Sequence, residues 1–259
     1  MKHVVSYGGG INSAAMLVGL LEHGERPDAI LFADTGGEKP HTYRHLHAVM
    51  QPWCARVGFP EITIVTGSQP RQIEDGSLEG ECRRLGALPS RVMGFGMCSD
   101  KWKIDPQEKW LKASMPNESI TKLIGFGAEE AHRAPKRPSD GWARRYPLIE
   151  WDWDREGCRT ALARAGLPNP GKSACFYCPS STTREILELR QKYPDLLARA
   201  LEMERRALAG EGQAPALRSI KGLGRRFAWA DFLRQTDAQG SLFTDADIPQ
   251  PCTGEACFT

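Results

Sequence analysis

The sequence predicts an α/β fold: a parallel sheet with helices on both faces, followed by a helical, cysteine-bearing extension. Three observations predict it. Short apolar runs with strand character recur between segments of helical period. The first run leads straight into a glycine loop and then a helix. The runs are near-continuously apolar, as strands buried on both faces must be.

Taken in order, His3 to Ser6 reads as a strand that enters the loop Gly8-Gly9-Gly10. Asn12 or Ser13 is the expected cap of the next helix, with Ala14, Met16, Leu17, Leu20 and Leu21 as its apolar residues and Gly24 as its stop. Asp28 to Ala33 reads as a buried strand ending at Asp34. His41 to Val57 reads as a helix, because Leu46, Val49, Met50, Trp53 and Val57 share one face. Glu61 to Thr66 is the next strand, and Gly67 to Gly96, rich in turn residues, is expected to be a long active-site loop. Ser119 to Phe126 is another strand. Asp154 to Ala165 reads as a helix capped by Asp154 and stopped by Gly166. Pro168 to Pro179 is a proline-bounded cysteine loop, and Thr182 to Lys192 and Pro194 to Ala209 are two further helices. From about Gly240 the chain reads as loosely packed. The alternation of strand and helix is the grammar of a parallel sheet. It places an α/β domain at residues 1–150 and a helical region at 151–259, with a soft boundary.

Composition narrows the function classes. The 259 residues are 41% apolar and 25% charged, enough to build a core and unlike a disordered chain. With 34 basic and 32 acidic residues the net charge is +2, too even to identify a nucleic-acid binder by charge alone. Ala14 to Leu21, the longest apolar run, falls far short of a membrane span. The N-terminus has no secretory core, so a cytoplasmic protein with no membrane partner is expected.

Ser6-Tyr7-Gly8-Gly9-Gly10-Ile11-Asn12-Ser13 is the strongest local signal. Glycines let backbone N–H groups approach an anion, the helix start adds a favourable dipole, and Ser6 and Ser13 add hydroxyls. The loop reads as a phosphate or pyrophosphate cradle. It is not a Walker A loop, since no Gly-Lys-Ser/Thr follows, and Ser13 stands where a dinucleotide fingerprint needs its third glycine. Asp34, at the end of the next strand, reads either as a contact to nucleotide or magnesium or as a turn aspartate.

These residues carry a resemblance. SYGGGINS resembles the SGGxxS pyrophosphate loop of the PP-loop (adenine nucleotide alpha-hydrolase) superfamily. FADTGGEKPHTYRHL resembles a segment of its phosphoadenosine phosphosulfate reductase branch, and GFGAEEAHRA resembles a later one, with Phe126 in place of the usual arginine and Ala131 near the usual serine. The likeness extends to KSACFYCPSS, so it spans most of residues 1–185. It implies a Rossmann-like sheet binding ATP with magnesium. Ser6, Gly8, Gly9, Gly10, Asn12 and Ser13 would hold phosphates, Asp34 and Thr35 would sit beside the nucleotide, and Arg133 would face phosphate or substrate. Ser13, Asp34 and Arg133 are thereby the expected catalytic residues.

Eight cysteines remain. Cys175 and Cys178 form a C-x-x-C, a spacing that lets two thiolates share one metal or cluster. A redox disulfide or a pair of buried thiols is the competing reading. Cys98 lies in a C-x-x-K-W-K-I-x-P pattern that resembles the cysteine segment of cluster-containing relatives, and Cys158 stands on a helix able to return toward the loop. Cys98, Cys158, Cys175 and Cys178 make up the four thiolates of a 4Fe-4S cluster or a zinc site, and the resemblance favours iron–sulfur. A helical Cys158 is equally readable as core, and Cys82, Cys252 and Cys257 compete for its place. Cys54 reads as packing.

Arg133, Lys136, Arg137, Arg144 and Arg145, with Trp142 and Tyr146, form a basic and aromatic segment; Arg218, Lys221, Arg225 and Arg226, followed by Phe227 and Trp229, form a second. Each reads as a nucleic-acid platform or as solvated surface over core aromatics. Trp151 and Trp153 are expected near the cysteine loop. The resulting expectation is an ATP-dependent sulfurtransferase that adenylates a nucleic acid, tRNA or DNA, and inserts sulfur supplied by a donor such as a cysteine desulfurase. The alternatives are a sulfonucleotide reductase, against which the tail TGEACFT lacks Gly-x-His after its cysteine, and a non-catalytic binding module with structural zinc.

Overall fold

The computed structural model describes residues 1–67, 76–89, 97–134, 142–212, 221–224 and 226–238. Five parallel strands form one sheet in the order β3-β2-β1-β4-β5. They are β1 (Lys2–Tyr7), β2 (Ala29–Asp34), β3 (Ile62–Thr66), β4 (Ile120–Ile124) and β5 (Ala143–Arg145). The first four match the expected strands to within two residues at each end. The short edge strand β5 had no apolar run to announce it.

Side-chain alternation divides the sheet between two cores. Val5, Ile30, Phe32 and Leu123 face α1 (Ile11–Glu22) and α8 (Arg155–Arg164). Val4, Leu31, Ala33 and Ile120 face the opposite side, where α6 (Asp105–Ser114) contributes Leu111. Ile30, Leu31 and Phe32 are all fully buried, each contributing about 1.5–3 kcal/mol. That is why β2 reads as one apolar run.

The helix expected over 41–57 is interrupted. α2 (Pro40–His45) passes through a π-helical turn at Leu46–Met50 into α3 (Gln51–Val57). A second π turn, Asp100–Ile104, joins α5 (Met97–Ser99) to α6. Pro52 and Pro106 follow these turns directly. Proline has no N–H for the carbonyl four residues back and clashes with it, so the preceding turn widens. The expected face survives, with Leu46, Met50 and Trp53 buried.

Part of the expected 67–96 loop is helical: α4 (Leu78–Leu85) is capped by Ser77, whose hydroxyl accepts from the Gly80 N–H at 3.0 Å, and ends at left-handed Gly86. Residues 68–75, 90–96 and the stretch from Gln239 onward lie outside the described residues. The Asp154 and Gly166 signals hold, with the Asp154 carboxylate accepting from the Gly157 N–H at 2.8 Å.

α9 (Thr183–Lys192), α10 (Pro194–Leu208) and α11 (Trp229–Ala238) build a third core with α4, Trp102 and the cysteine turn. The Glu204 carboxylate anchors it, accepting from the N–H groups of Leu223, Trp229 and Ala230 at 2.7–2.9 Å. The cores do not divide at residue 150: α8 packs on the sheet, while α4 and Trp102 join the helical module. Trp151 and Trp153 also lie against the sheet core, with Trp151 stacked on His23 at 4.4 Å, rather than beside the cysteine loop. Between β5 and α8, Pro147–Glu150 forms the short helix α7. Among the described residues no helix is long and apolar enough to cross a membrane.

Candidate functional site

The turn between β1 and α1 is built to expose backbone. Gly9 has φ +73°, and a Cβ there would stand 2.9 Å from Thr42 Cγ2 and 3.2 Å from the Phe32 ring. Only glycine fits that conformation and that space. Gly10, not Asn12 or Ser13, is the cap residue of α1, and no side chain caps it. Asn12 and Ser13 instead occupy the first turn, where the Ser13 hydroxyl donates to the Gly10 carbonyl at 3.0 Å. The first amides of a helix have no acceptor within it, and here no side chain competes for them.

Gly8, Gly10, Ile11, Asn12 and Ser13 line a cavity of about 520 Å³. It opens at the carboxyl ends of β1 and β4, where the strand order reverses direction, the ordinary ligand crevice of an open α/β sheet. Ser6 lies on the wall and donates to Gln107 Oε1 at 2.7 Å. Lys103, Arg133, Arg155 and Lys172 bring four cationic side chains to it. Asn12 Nδ2 donates to Glu130 Oε2 at 3.0 Å, and Glu130 also pairs with Arg133, so one carboxylate orients a loop amide and a wall cation together. Asn12 Oδ1 is buried without a partner.

Asp34 and Thr35 stand elsewhere than expected. β2 sends Phe32 and Ala33 to the cavity wall. The Asp34 carboxylate closes its own turn, accepting from Tyr43 Oη at 2.7 Å and the Gly36 N–H at 2.8 Å, which is the turn-aspartate reading. Thr35 Oγ1 is hydrogen-bonded to Cys175 Sγ at 3.0 Å.

The cysteine turn sits behind that threonine. Cys178 N–H donates to the Cys175 carbonyl at 3.0 Å, Phe176 N–H to the Gly37 carbonyl at 2.8 Å, and Cys175 bridges Glu38. Cys82 and Cys175 share the helical core, with Cys98 packed against it. Cys158 does not join them. It is buried between α8 and the sheet, because the helix that was to return it toward the loop packs that face on α1. Cys82 therefore takes the neighbouring place that Cys158 was expected to fill; Cys252 and Cys257 lie outside the described residues.

Burial pushes both the Cys158 and the Cys175 thiols up to about 12. For Cys175 the Glu38 charge adds to burial, while Lys103 and the Thr35 hydrogen bond oppose it. Burial also raises Cys82. Burial would lower Lys103, but Glu38 and Cys175 hold its ammonium above its ordinary value. Among the described residues Glu38 Oε2 is buried beside the turn without a partner. Among the described residues no three His, Cys, Asp or Glu side chains are arranged to hold a metal ion.

The loop before the cysteines ties the two regions together. Ser173 Oγ donates to the Gly8 carbonyl at 2.6 Å, and Lys172 and Ser173 both line the cavity. With Lys103, Gln107 and Arg155, these residues were not among those expected at the site. Lys103 and Ser173 lie in the CSDKWKI and KSACFYC segments, where the cysteines masked them. Arg155 had no local signal, because only the packing of α8 on α1 brings it there.

Of the basic segments, Arg145 is held by Glu25 and Glu150, and Trp229 is fully buried in the helical core. Lys136, Arg137, Arg218 and Arg225 lie outside the described residues.

No family model matches the chain. It is similar to the uncharacterized nin region protein ORF290 of Escherichia phage lambda, with 26% identity over 152 residues, covering 53% of this chain. The match spans about half of that relative's own length, 52%.

Proposed function

We propose that this chain is an ATP-using PP-loop enzyme that adenylates an acceptor, the first half of a sulfur-transfer reaction. The observation that carries the reading is the uncapped start of α1, whose glycine turn opens into a cavity with four cationic side chains on its wall. A polyanion is the ligand such a wall suits.

In this reading the acceptor's oxygen attacks the α-phosphorus of ATP. The bond to the bridging oxygen breaks and pyrophosphate leaves with its electron pair. Backbone N–H groups of the α1 turn, the Ser13 hydroxyl, Lys103 and Lys172 stabilise the charge that grows on the leaving group. Arg133, oriented by Glu130, holds the acceptor side of the phosphate. Asp34 acts indirectly, by fixing the turn after β2. Cys82, Cys98 and Cys175 share one core, and Lys103, which pairs with Glu38 beside Cys175, reaches the cavity wall.

The test is incubation of the protein with α-labelled ATP and candidate tRNA and DNA acceptors. Acceptor-dependent release of pyrophosphate, with the α-label passing to the acceptor, is expected. Its absence with every acceptor, together with no measurable ATP binding, overturns the reading.

A further inference from the structure

A second recess opens off the nucleotide cavity on the side of β4 and β5. Its volume is about 250 Å³, and it shares Ser6, Gln107, Phe126 and Arg133 with the larger cavity. Lys122, Arg144 and Tyr146 belong to the recess. Lys122 and Arg144 are register partners on neighbouring parallel strands, so their side chains leave the same face of the sheet.

The recess is shaped for an anion. Lys122, Arg133 and Arg144 line it, and among the described residues no carboxylate does. Glu108 accepts from Lys122 at 2.9 Å and Glu130 pairs with Arg133, which holds both cations in place. One such pairing leaves a guanidinium further donors. Phe126 and Tyr146 stack with centroids 5.6 Å apart and planes 9° from parallel, and the Arg133 guanidinium lies 4.5 Å from the Phe126 centroid. The stack fixes Arg133 on the boundary between the two cavities. Tyr146 Oη is buried and has no hydrogen-bond partner among the described residues. Native proteins rarely leave a buried hydroxyl unpaired, and a ligand oxygen is the partner it lacks.

Resting on the adenylation reading, we propose that this recess docks the second reactant by a phosphate group, so that the acceptor is a phosphate ester, a nucleotide alone or within a strand, held beside ATP. Guanidinium and phenol donors match a phosphate's several acceptor oxygens. The same chemistry has a second source, a 3′-phosphate on the bound nucleotide itself, and the experiment separates the two.

Inorganic phosphate is titrated calorimetrically into the full-length protein saturated with α,β-methylene-ATP. Phosphate is expected to bind the saturated protein. Arg144→Gln is expected to weaken it about tenfold and Tyr146→Phe about fivefold, while affinity for the ATP analogue stays within about twofold, since neither residue lines the larger cavity. Tyr146→Phe keeps the stack, so it tests the hydroxyl even if the arginine variant misfolds. Loss of phosphate binding on saturation, or indifference to both substitutions, overturns the proposal. So does adenosine 3′,5′-bisphosphate binding more than about tenfold tighter than AMP with that gain lost in Arg144→Gln, which gives the recess to the nucleotide's own phosphate. If the analogue fails to bind while phosphate binding still depends on Arg144 and Tyr146, the adenylation reading fails and the recess remains a phosphate site.

Discussion

The glycine turn is tied to the loop before the cysteine turn by the Ser173 hydrogen bond to Gly8, and the cysteine turn is bridged to Glu38 after β2. They handle polar atoms in opposite ways. The glycine turn leaves helix amides and hydroxyls on an open wall beside four cationic side chains. The cysteine turn closes the Cys175 thiol into an apolar core with Phe176, Tyr177 and Trp102, beside which Lys103 reaches both Glu38 and the cavity. The first surroundings invite a charged ligand; the second suppress charge and keep the Cys175 thiol protonated near neutral pH. Residue type alone does not separate the two outcomes: Cys158 has the same raised pKa as Cys175 with no polar neighbour bonded to its sulfur.

The largest effect is expected at the glycine turn. Gly9→Val combines a left-handed backbone with a clash against Thr42 and Phe32. It should lower ATP affinity by about 100-fold or more, some 3 kcal/mol, as read by calorimetry. Near-normal binding would mean that the turn is not the cradle. Next comes the pair of thiols. Cys158→Ser places a hydroxyl in an apolar core and should cost about 1–3 kcal/mol in denaturant unfolding. Cys175→Ser keeps a hydrogen-bonding neighbour in Thr35 and should cost less. Equal losses would erase the contrast drawn between the two sites.

The link between the turns is smaller in energy. Ser173→Ala removes one hydrogen bond, about 1 kcal/mol, and should weaken ATP binding roughly fivefold without changing the fold. Exposure sharpens the comparison further. In a Cys252→Ser, Cys257→Ser background, Cys98 and Cys178 should react with a thiol reagent well before the buried Cys54, Cys82, Cys158 and Cys175. Mass spectrometry of the labelled peptides checks the order.

The smallest effect is expected from pH. His45 Nε2 contacts the Pro168 carbonyl at 3.1 Å, where it pins the start of the cysteine loop, and burial holds its pKa below the usual histidine value. The unfolded chain then binds more protons than the native one below about pH 6.5. Stability contributed by neutral His45 is complete above that pH and is lost as pH falls through the unfolded and then the folded pKa. Melting temperature should drop between about pH 7 and 5, and less so in His45→Gln.

Four strands, the glycine turn and the cap of α8 were legible because each rests on a local signal: apolar runs, φ-tolerant glycines, and Asp154 three residues before a bonded amide. α6, α11 and β5 were not read. β5 has three residues and little burial of its own; it is a strand because β4 lies beside it. The π turns were implicit in Pro52 and Pro106, but a helical period does not show which carbonyl a proline disturbs.

By itself the sequence determined the sheet class and the glycine turn, because both depend on backbone freedom and burial periodicity over a few residues. Tertiary structure decided the rest of the site. It turned Asp34 inward to Tyr43, separated Cys158 from the other thiols, and brought Lys103, Arg155 and Ser173 to one wall. Those outcomes depend on which face each helix buries, and that is set by partners distant in the chain.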